Sequence, residues 1–166
     1  MLQRTHYSIR GIDLMSYQTG VHKKGDFSVS DLVKNTIESK NYSKAGAIAH
    51  FIGVVRGETI KGERVKKLKI ESYEEKANEV LNNICKELAN KSGIVNVQIH
   101  HLLGEFDIGD DIVYVSVAGS HRTNVFQVLH EAVERYKNEV PVFKKEFIIK
   151  LDGKQQGYWV SEKIGH

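Results

Sequence analysis

The chain has one cysteine, one proline, one tryptophan and two methionines among 166 residues. Each scarcity excludes something. A lone Cys85 cannot close an internal disulfide, so a packed core must hold the fold, and a cytoplasmic location is the natural expectation. The one proline, Pro141, blocks helix where it stands and pushes Val140 toward an extended conformation. No apolar run reaches the ~20 residues of a membrane-spanning helix. The opening residues, Met1 to His6, lack the apolar segment of a signal peptide. There is no low-complexity tract and no internal repeat. Charge of one sign is not in large excess either. Lys and Arg number 24 against 21 Asp and Glu, a formal net charge of +3. That balance suits an anionic small molecule as well as nucleic acid and decides neither.

What is present suffices for one domain. Hydrophobic residues make up 40% of the chain, enough for a core. Residues 1–25 are the least patterned: Thr5 to Ile9 fits a short strand, and Gly20 to Gly25 looks like a linker. They are expected to be an N-terminal extension to a domain over 26–166. Leu32, Val33, Thr36 and Ile37 predict a short helix within Val29 to Ser39, capped by Ser28 or Ser30. Ala45 to Val55 is small and apolar, as in a buried strand. Gly57 to Gly62 is a polar loop bounded by glycine. Val65 to Tyr73 alternates, with Lys66, Lys67 and Lys69 on a wet face.

Ala77, Val80, Leu81, Ile84, Cys85 and Leu88 form one helical stripe over Glu74 to Ala89, with acidic residues in the first turn. Ile94 to Leu103 and Asp111 to Ala118 read as strands. Val125, Phe126, Leu129, Ala132, Val133 and Tyr136 recur at helical spacing up to about Glu139. Val142 to Leu151 and Gln155 to Ser161 read as a hairpin around Asp152-Gly153. Strands in consecutive pairs with two amphipathic helices predict an α+β fold, a mostly antiparallel sheet packed by two main helices. No glycine-rich phosphate fingerprint follows a strand, so a doubly wound nucleotide-binding fold is not expected.

The chemistry concentrates at Gly119-Ser120-His121-Arg122-Thr123. His121 and Arg122 fall where a strand turns into a helix. The first amides of a helix lack internal partners and carry partial positive charge. A cation there is locally unfavourable by about 0.3–1 kcal/mol, and a bound phosphate or carboxylate would compensate. The plainer reading is a surface pair making local hydrogen bonds. Lys137 lies one turn beyond Val133, either a functional ammonium or a lysine snorkelling near a helix C-terminus. Lys144 and Lys145 follow Pro141 on an extended segment and so face opposite sides; at most one joins Lys137. Arg56 ends a strand before the glycine-flanked loop, a place that often carries ligand contacts. Cys85 belongs to a buried stripe and reads as core. His100 and His101 are adjacent in a strand, point to opposite faces and make no metal pair. His101 shares a face with Val95, Val97 and Ile99 and is expected in the core. No metal site is expected.

Five segments together resemble one family. Phe51-Ile52-Gly53-Val54-Val55-Arg56 is similar to F-x-G-x-V-R. His101 to Glu105 is similar to H-R-x-G-E, and Ser120-His121-Arg122 with Phe126 to S/A-H-R-x-x-x-F. Tyr136 to Glu146 is similar to Y-x-K-x-x-x-P-x-W/F-K-K/R-E, and Tyr158-Trp159-Val160 to a closing W-V. The family is the large, catalytic subunit of molybdopterin synthase, MoaE, and the likeness runs from about Phe27 to Ser161.

The resemblance implies an α/β-hammerhead type of α+β fold with a small additional β-subdomain. It implies a homodimer that forms a heterotetramer with a small ubiquitin-like subunit ending in a Gly-Gly thiocarboxylate, MoaD-like. It implies sulfur transfer to cyclic pyranopterin monophosphate, a pterin phosphate, to give molybdopterin in molybdenum cofactor biosynthesis. No cofactor, nucleic acid or membrane is implied. By position, Lys137 and Lys144 would be catalytic, and Arg56, His121, Arg122, Lys145 and Glu146 would contact substrate. Two positions depart from the pattern: Val54 where lysine is frequent, and Leu102 where arginine is frequent. The rival readings are a basic α+β nucleic-acid-binding domain using Lys66, Lys67 and Lys69, with only Tyr73 nearby for stacking, and a non-catalytic scaffold of the same fold.

Overall fold

The computed structural model describes residues 5–9, 12–16 and 18–160. The opening Met1 to Arg4 and the expected end of the last strand at Ser161 lie outside the described residues. In chain order the elements are β1 (Thr5–Ile9), β2 (Ile12–Ser16), β3 (Gly20–Lys23), α1 (Val29–Ile37), a 3₁₀ turn (Tyr42–Lys44), β4 (Ala47–Val54), β5 (Arg64–Ser72), α2 (Glu74–Ala89), β6 (Ile94–Phe106), β7 (Asp111–Gly119), α3 (Arg122–Glu139), β8 (Val142–Ile149) and β9 (Gln155–Val160). β1 and β2 form their own antiparallel hairpin. The main sheet has seven strands in the order β4-β7-β6-β5-β8-β9, with β3 beside β6. All of its pairings are antiparallel except β3 with β6.

Alternation along β6 assigns the helices to the two faces. Gln98 donates to Thr36 Oγ1 of α1 at 3.2 Å, whereas His101 meets Tyr136 of α3. The two long helices are where their stripes predict, except that Phe126 is 61% exposed and Val128 takes its place in the buried stripe, and the nine-residue α1 covers the opposite face. Ala77, Leu81, Ile84 and Leu88 of α2 are fully buried. Each leucine or isoleucine removed from water contributes about 1.5–3 kcal/mol. α1 starts at Ser28 with a reciprocal cap, Ser28 holding the Asp31 amide and Asp31 the Ser28 amide, a device worth about 1 kcal/mol. Cys85 is buried as expected, and burial pushes its thiol up to about 12.

Two expectations change. Ala45 to Val55, read as a buried strand, is the edge strand β4, with Ile48, Ile52 and Val54 exposed because only one neighbour covers it. Gly20 to Lys23, read as linker, is a buried parallel strand paired with His100 to Leu103. Its side chain His22 is 1% exposed, bonded ring to ring with His100 at 2.9 Å, and Phe27 stacks on both rings. The chain continues from there: His100 to Gln98, Gln98 to Thr36, Thr36 to Ser116. The bonds among these buried groups offset much of the cost of burying them.

Candidate active site

β7 delivers the chain to α3 through a turn that only glycine permits. A Cβ on Gly119 would lie 2.6 Å from the Gly93 carbonyl oxygen, and one on Gly46 would lie 2.4 Å from that of Ser120. Ser120 donates its amide to the same Gly93 carbonyl at 2.8 Å. The turn leaves His121 as the N-cap of α3 in an extended conformation with no side-chain cap, and the first turn of α3 contains no acidic residue. His121 and Arg122 are exposed. The opening amides and these two side chains therefore present uncompensated positive potential to solvent, suited to an anion.

Lys137 stands exposed in the last turn of the same helix. Fifteen residues separate it from Arg122, so at 1.5 Å per residue the two lie about 22 Å apart along the axis. Lys144 joins the Lys137 end. It pairs with buried Ile70, and Glu146 with buried Leu68, so both stand on the buried face of β8, and the charge of Lys144 is felt at His101. His101 connects them: its ring meets Tyr136, next to Lys137, at 6.0 Å and 71°. Its Nδ1 donates to the Leu102 carbonyl at 3.1 Å, which places the proton on Nδ1. Burial, then the nearby positive charge of Lys144, push His101 down to about 3. The expected core histidine is thus a neutral ring wedged between the two lysine-bearing elements.

Lys145 points through the opposite face, its ammonium 5.6 Å from both the Phe147 and the Trp159 ring centres. Arg56 is exposed just past β4. Its neighbours are pinned: the Val55 amide donates to the Asp110 carbonyl and the Val65 amide to the Gly57 carbonyl. β4 pairs Ala47 with Gly119 and Val54 with Asp111. Arg56 therefore lies at the end of β7 away from His121, about 27 Å along the strand direction. Tyr136 against His101, which pairs with Val113, shows that α3 runs back toward that same end. One copy of the chain thus groups Lys137 with Lys144, sets His121 and Arg122 at the far end of α3, and carries Arg56 on the edge strand.

Two residues outside the expected site set, Tyr158 and Glu63, adjoin Glu146. The Tyr158 hydroxyl donates to Glu146 Oε2 at 3.0 Å and to Glu63 Oε2 at 3.3 Å. The signal for them is the turn. Leu151-Asp152-Gly153 closes the β8–β9 hairpin as a three-residue loop with Gly153 at φ 77°, and counting back from it sets Tyr158 opposite Glu146. Departing Val54 is 48% exposed, whereas departing Leu102 is buried. Among the described residues no group of three or more His, Cys, Asp or Glu side chains could hold a metal ion, and no helix is long and apolar enough to cross a membrane.

Fold and charge together define the class: an α+β domain that carries cationic side chains at both ends of one long helix. The model of the family described as MoaE protein matches residues 22–139. Over 131 residues the chain is 36% identical to the molybdopterin synthase catalytic subunit of Bacillus subtilis, covering 79% of this chain and 80% of that one. It is 35% identical over 120 residues to a probable molybdopterin synthase of Haloferax volcanii, covering 72% of this chain but only 44% of that longer protein. The crystal structure of molybdopterin synthase from Staphylococcus aureus superposes with a TM-score of 0.73 at 27% identity, covering 87% of this chain and 97% of that one. A Helicobacter pylori structure, a complex of subunits 1 and 2 of molybdopterin-converting factor, shares the fold at TM-score 0.64 and 22% identity, over 82% and 87% of the two chains. The chain belongs to the MoaE family. Its place is in molybdenum cofactor biosynthesis, among the sulfur-transfer enzymes of that route.

Proposed function

We propose that the chain takes sulfur from the thiocarboxylated C-terminal Gly-Gly tail of a small ubiquitin-like subunit and places it on cyclic pyranopterin monophosphate, yielding molybdopterin. The observation that carries this reading is the division of positive charge between the two ends of α3. An exposed His121–Arg122 pair over open helix amides suits the phosphate of the precursor. Lys137 and Lys144, flanking a neutral buried imidazole, suit the tail, where a fixed ammonium stabilises negative charge developing on the terminal carbonyl oxygen or passes a proton. Glu146 lies on the same strand face as Lys144, whereas Lys145, on the opposite face, and Arg56, past the edge strand, would meet substrate only from those sides. Sulfur comes from the partner, so no cysteine nucleophile is needed, in keeping with a buried Cys85 whose thiolate is strongly disfavoured.

Because about 22 Å of helix separates the two cationic groups, a complete site needs a second copy of the chain that sets one copy's Arg122 against the other's Lys137. β4 is the surface for it: an edge strand exposing Ile48, Ile52 and Val54 on one face. The working assembly is then a homodimer with one small subunit on each copy, a heterotetramer in the cytoplasm, with residues 26–166 as the catalytic domain and 1–25 as an extension whose β3 enters the main sheet. Lys67 and Lys69 face Glu105 and Glu71 in ion pairs, so the wet strand offers little net charge to a nucleic acid. The test is reconstitution of purified chain, thiocarboxylated small subunit and precursor. Molybdopterin should form, and formation should stop when the tail carries an ordinary carboxylate. Product formed equally well with the ordinary tail would refute the reading.

A further inference from the structure

The sheet around Glu146 holds a polar junction. Glu146 sits two residues from Lys144 on the same face of β8, opposite Tyr158 of β9. The one phenolic proton of Tyr158 reaches two carboxylates, Glu146 at 3.0 Å and Glu63 at 3.3 Å. All three residues are half-buried. Burial and then the bond to Glu146 push the phenol up to about 12, so it remains a donor across the neutral range.

Glu63 closes the loop that begins just after Arg56. Its carbonyl accepts from the Thr59 amide at 2.9 Å, its amide donates to the Thr59 hydroxyl at 3.1 Å, and the Gly62 amide donates to the Thr59 carbonyl at 3.0 Å. Thr59 is 8% exposed, so this turn is a knot around a buried threonine rather than a loose tip. Arg56 is fixed at the start of the loop by the backbone bonds of Val55 and Gly57. Tyr158 is the side chain that fixes its end to β8.

We propose that Tyr158 is a positioning residue for the sulfur-transfer site, its hydroxyl joining the Glu146 carboxylate beside Lys144 to the Arg56–Glu63 loop through Glu63. The proposal rests on the sulfur-transfer reading above. Hydrogen bonds to ionised carboxylates are strong and directional, and a small displacement of a group beside a reacting centre costs rate without removing a binding contact.

The test is Tyr158→Phe, which keeps the ring and removes the hydroxyl, measured in the reconstituted complex. Expected are a kcat about 10-fold lower with KM for the precursor and Kd for the small subunit unchanged. Amide exchange at Thr59, Gly62 and Glu63 in the chain alone should quicken. The double variant Tyr158→Phe with Glu146→Ala should be no slower than Glu146→Ala by itself, because the hydroxyl acts through that carboxylate. Unchanged kcat overturns the proposal even if exchange quickens, since the hydroxyl would then tie the loop without serving the site. Additive losses in the double variant overturn it too, as does a loss confined to KM or to small-subunit affinity. If the unmutated complex makes no molybdopterin, the sulfur-transfer reading fails and the proposal with it. That failure shows in the parent chain, whereas failure of the proposal alone shows only in the variant.

Discussion

The two ends of α3 carry the same sign of charge in opposite settings. At the N-terminal end, His121 and Arg122 stand in solvent over unpaired amides, beyond a turn fixed by Gly46, Gly93 and Gly119. At the C-terminal end, Lys137 stands exposed next to Tyr136, whose ring meets His101, and Lys144 brings its charge near that buried, neutral ring. The first setting is built to attract: exposed charge and open amides reach out to an anion and screen readily. On the proposed function the second acts, since the half-buried ammonium of Lys144 exerts more force on a nearby carbonyl than one in water. On that proposal one helix separates holding from reacting by about 22 Å, which is why a second copy is needed to complete a site.

The largest expected effect breaks the reacting end. Lys137→Ala should fold and bind the small subunit yet lose about 10²-fold or more in turnover, read as molybdopterin formed per minute with thiocarboxylated partner. Near-normal turnover would remove Lys137 from the chemistry. Next comes a test of the division itself. Neither Lys137→Ala nor Arg122→Ala homodimers should be fully active, but a mixture allowed to exchange subunits should recover about a quarter of normal activity. Half of its dimers are mixed, and each of those has one site with both residues intact. No recovery would mean that the two residues serve one site from one copy, or separate sites.

A smaller effect sharpens the holding end. Arg122→Ala should weaken affinity for the phosphorylated precursor by about 10-fold, the worth of one charge-assisted hydrogen bond, with loss growing less marked at high salt; calorimetry reads both. Smallest per step is a pH effect on stability. His22 is pushed down to about 4 and His101 to about 3, in each case first by burial, and His100 lies well below its ordinary value. These rings stay neutral in the folded chain while the unfolded chain binds protons near 6.5. Their contribution is therefore complete above about pH 6.5 and is lost as pH falls toward 4 and then 3. The slope is at most about 1.4 kcal/mol per pH unit for each ring. Urea unfolding from pH 7 to 4 should show a midpoint that falls steadily with acid; a flat midpoint would mean that the rings titrate alike in both states.

Much of this arrangement was legible before any fold was known, and the exceptions share one cause. The α2 stripe, the α3 stripe and the Pro141 stop are local patterns, and each element appears where its periodicity places it. The opposed faces of Lys144 and Lys145, and the core place of His101, follow from strand alternation alone. β3 was not legible, because four residues with a glycine and a histidine carry no periodicity; it is a strand only because residues 100–103 of β6 offer a parallel edge. Tyr158 was visible as part of a motif but not as a partner of Glu63, which lies 95 positions away.

Residue type and local spacing determined which groups are present and on which element each stands: a histidine and an arginine at a helix start, a lysine at its end, two more on the strand beyond the proline. Sheet order, register and helix length decided which of them meet. Short-range sterics and hydrogen bonding act between neighbours in the chain and are written in its order. The distance between Arg122 and Lys137, or between Tyr158 and Glu63, is set by how whole elements pack, and that is a property of the assembled core alone.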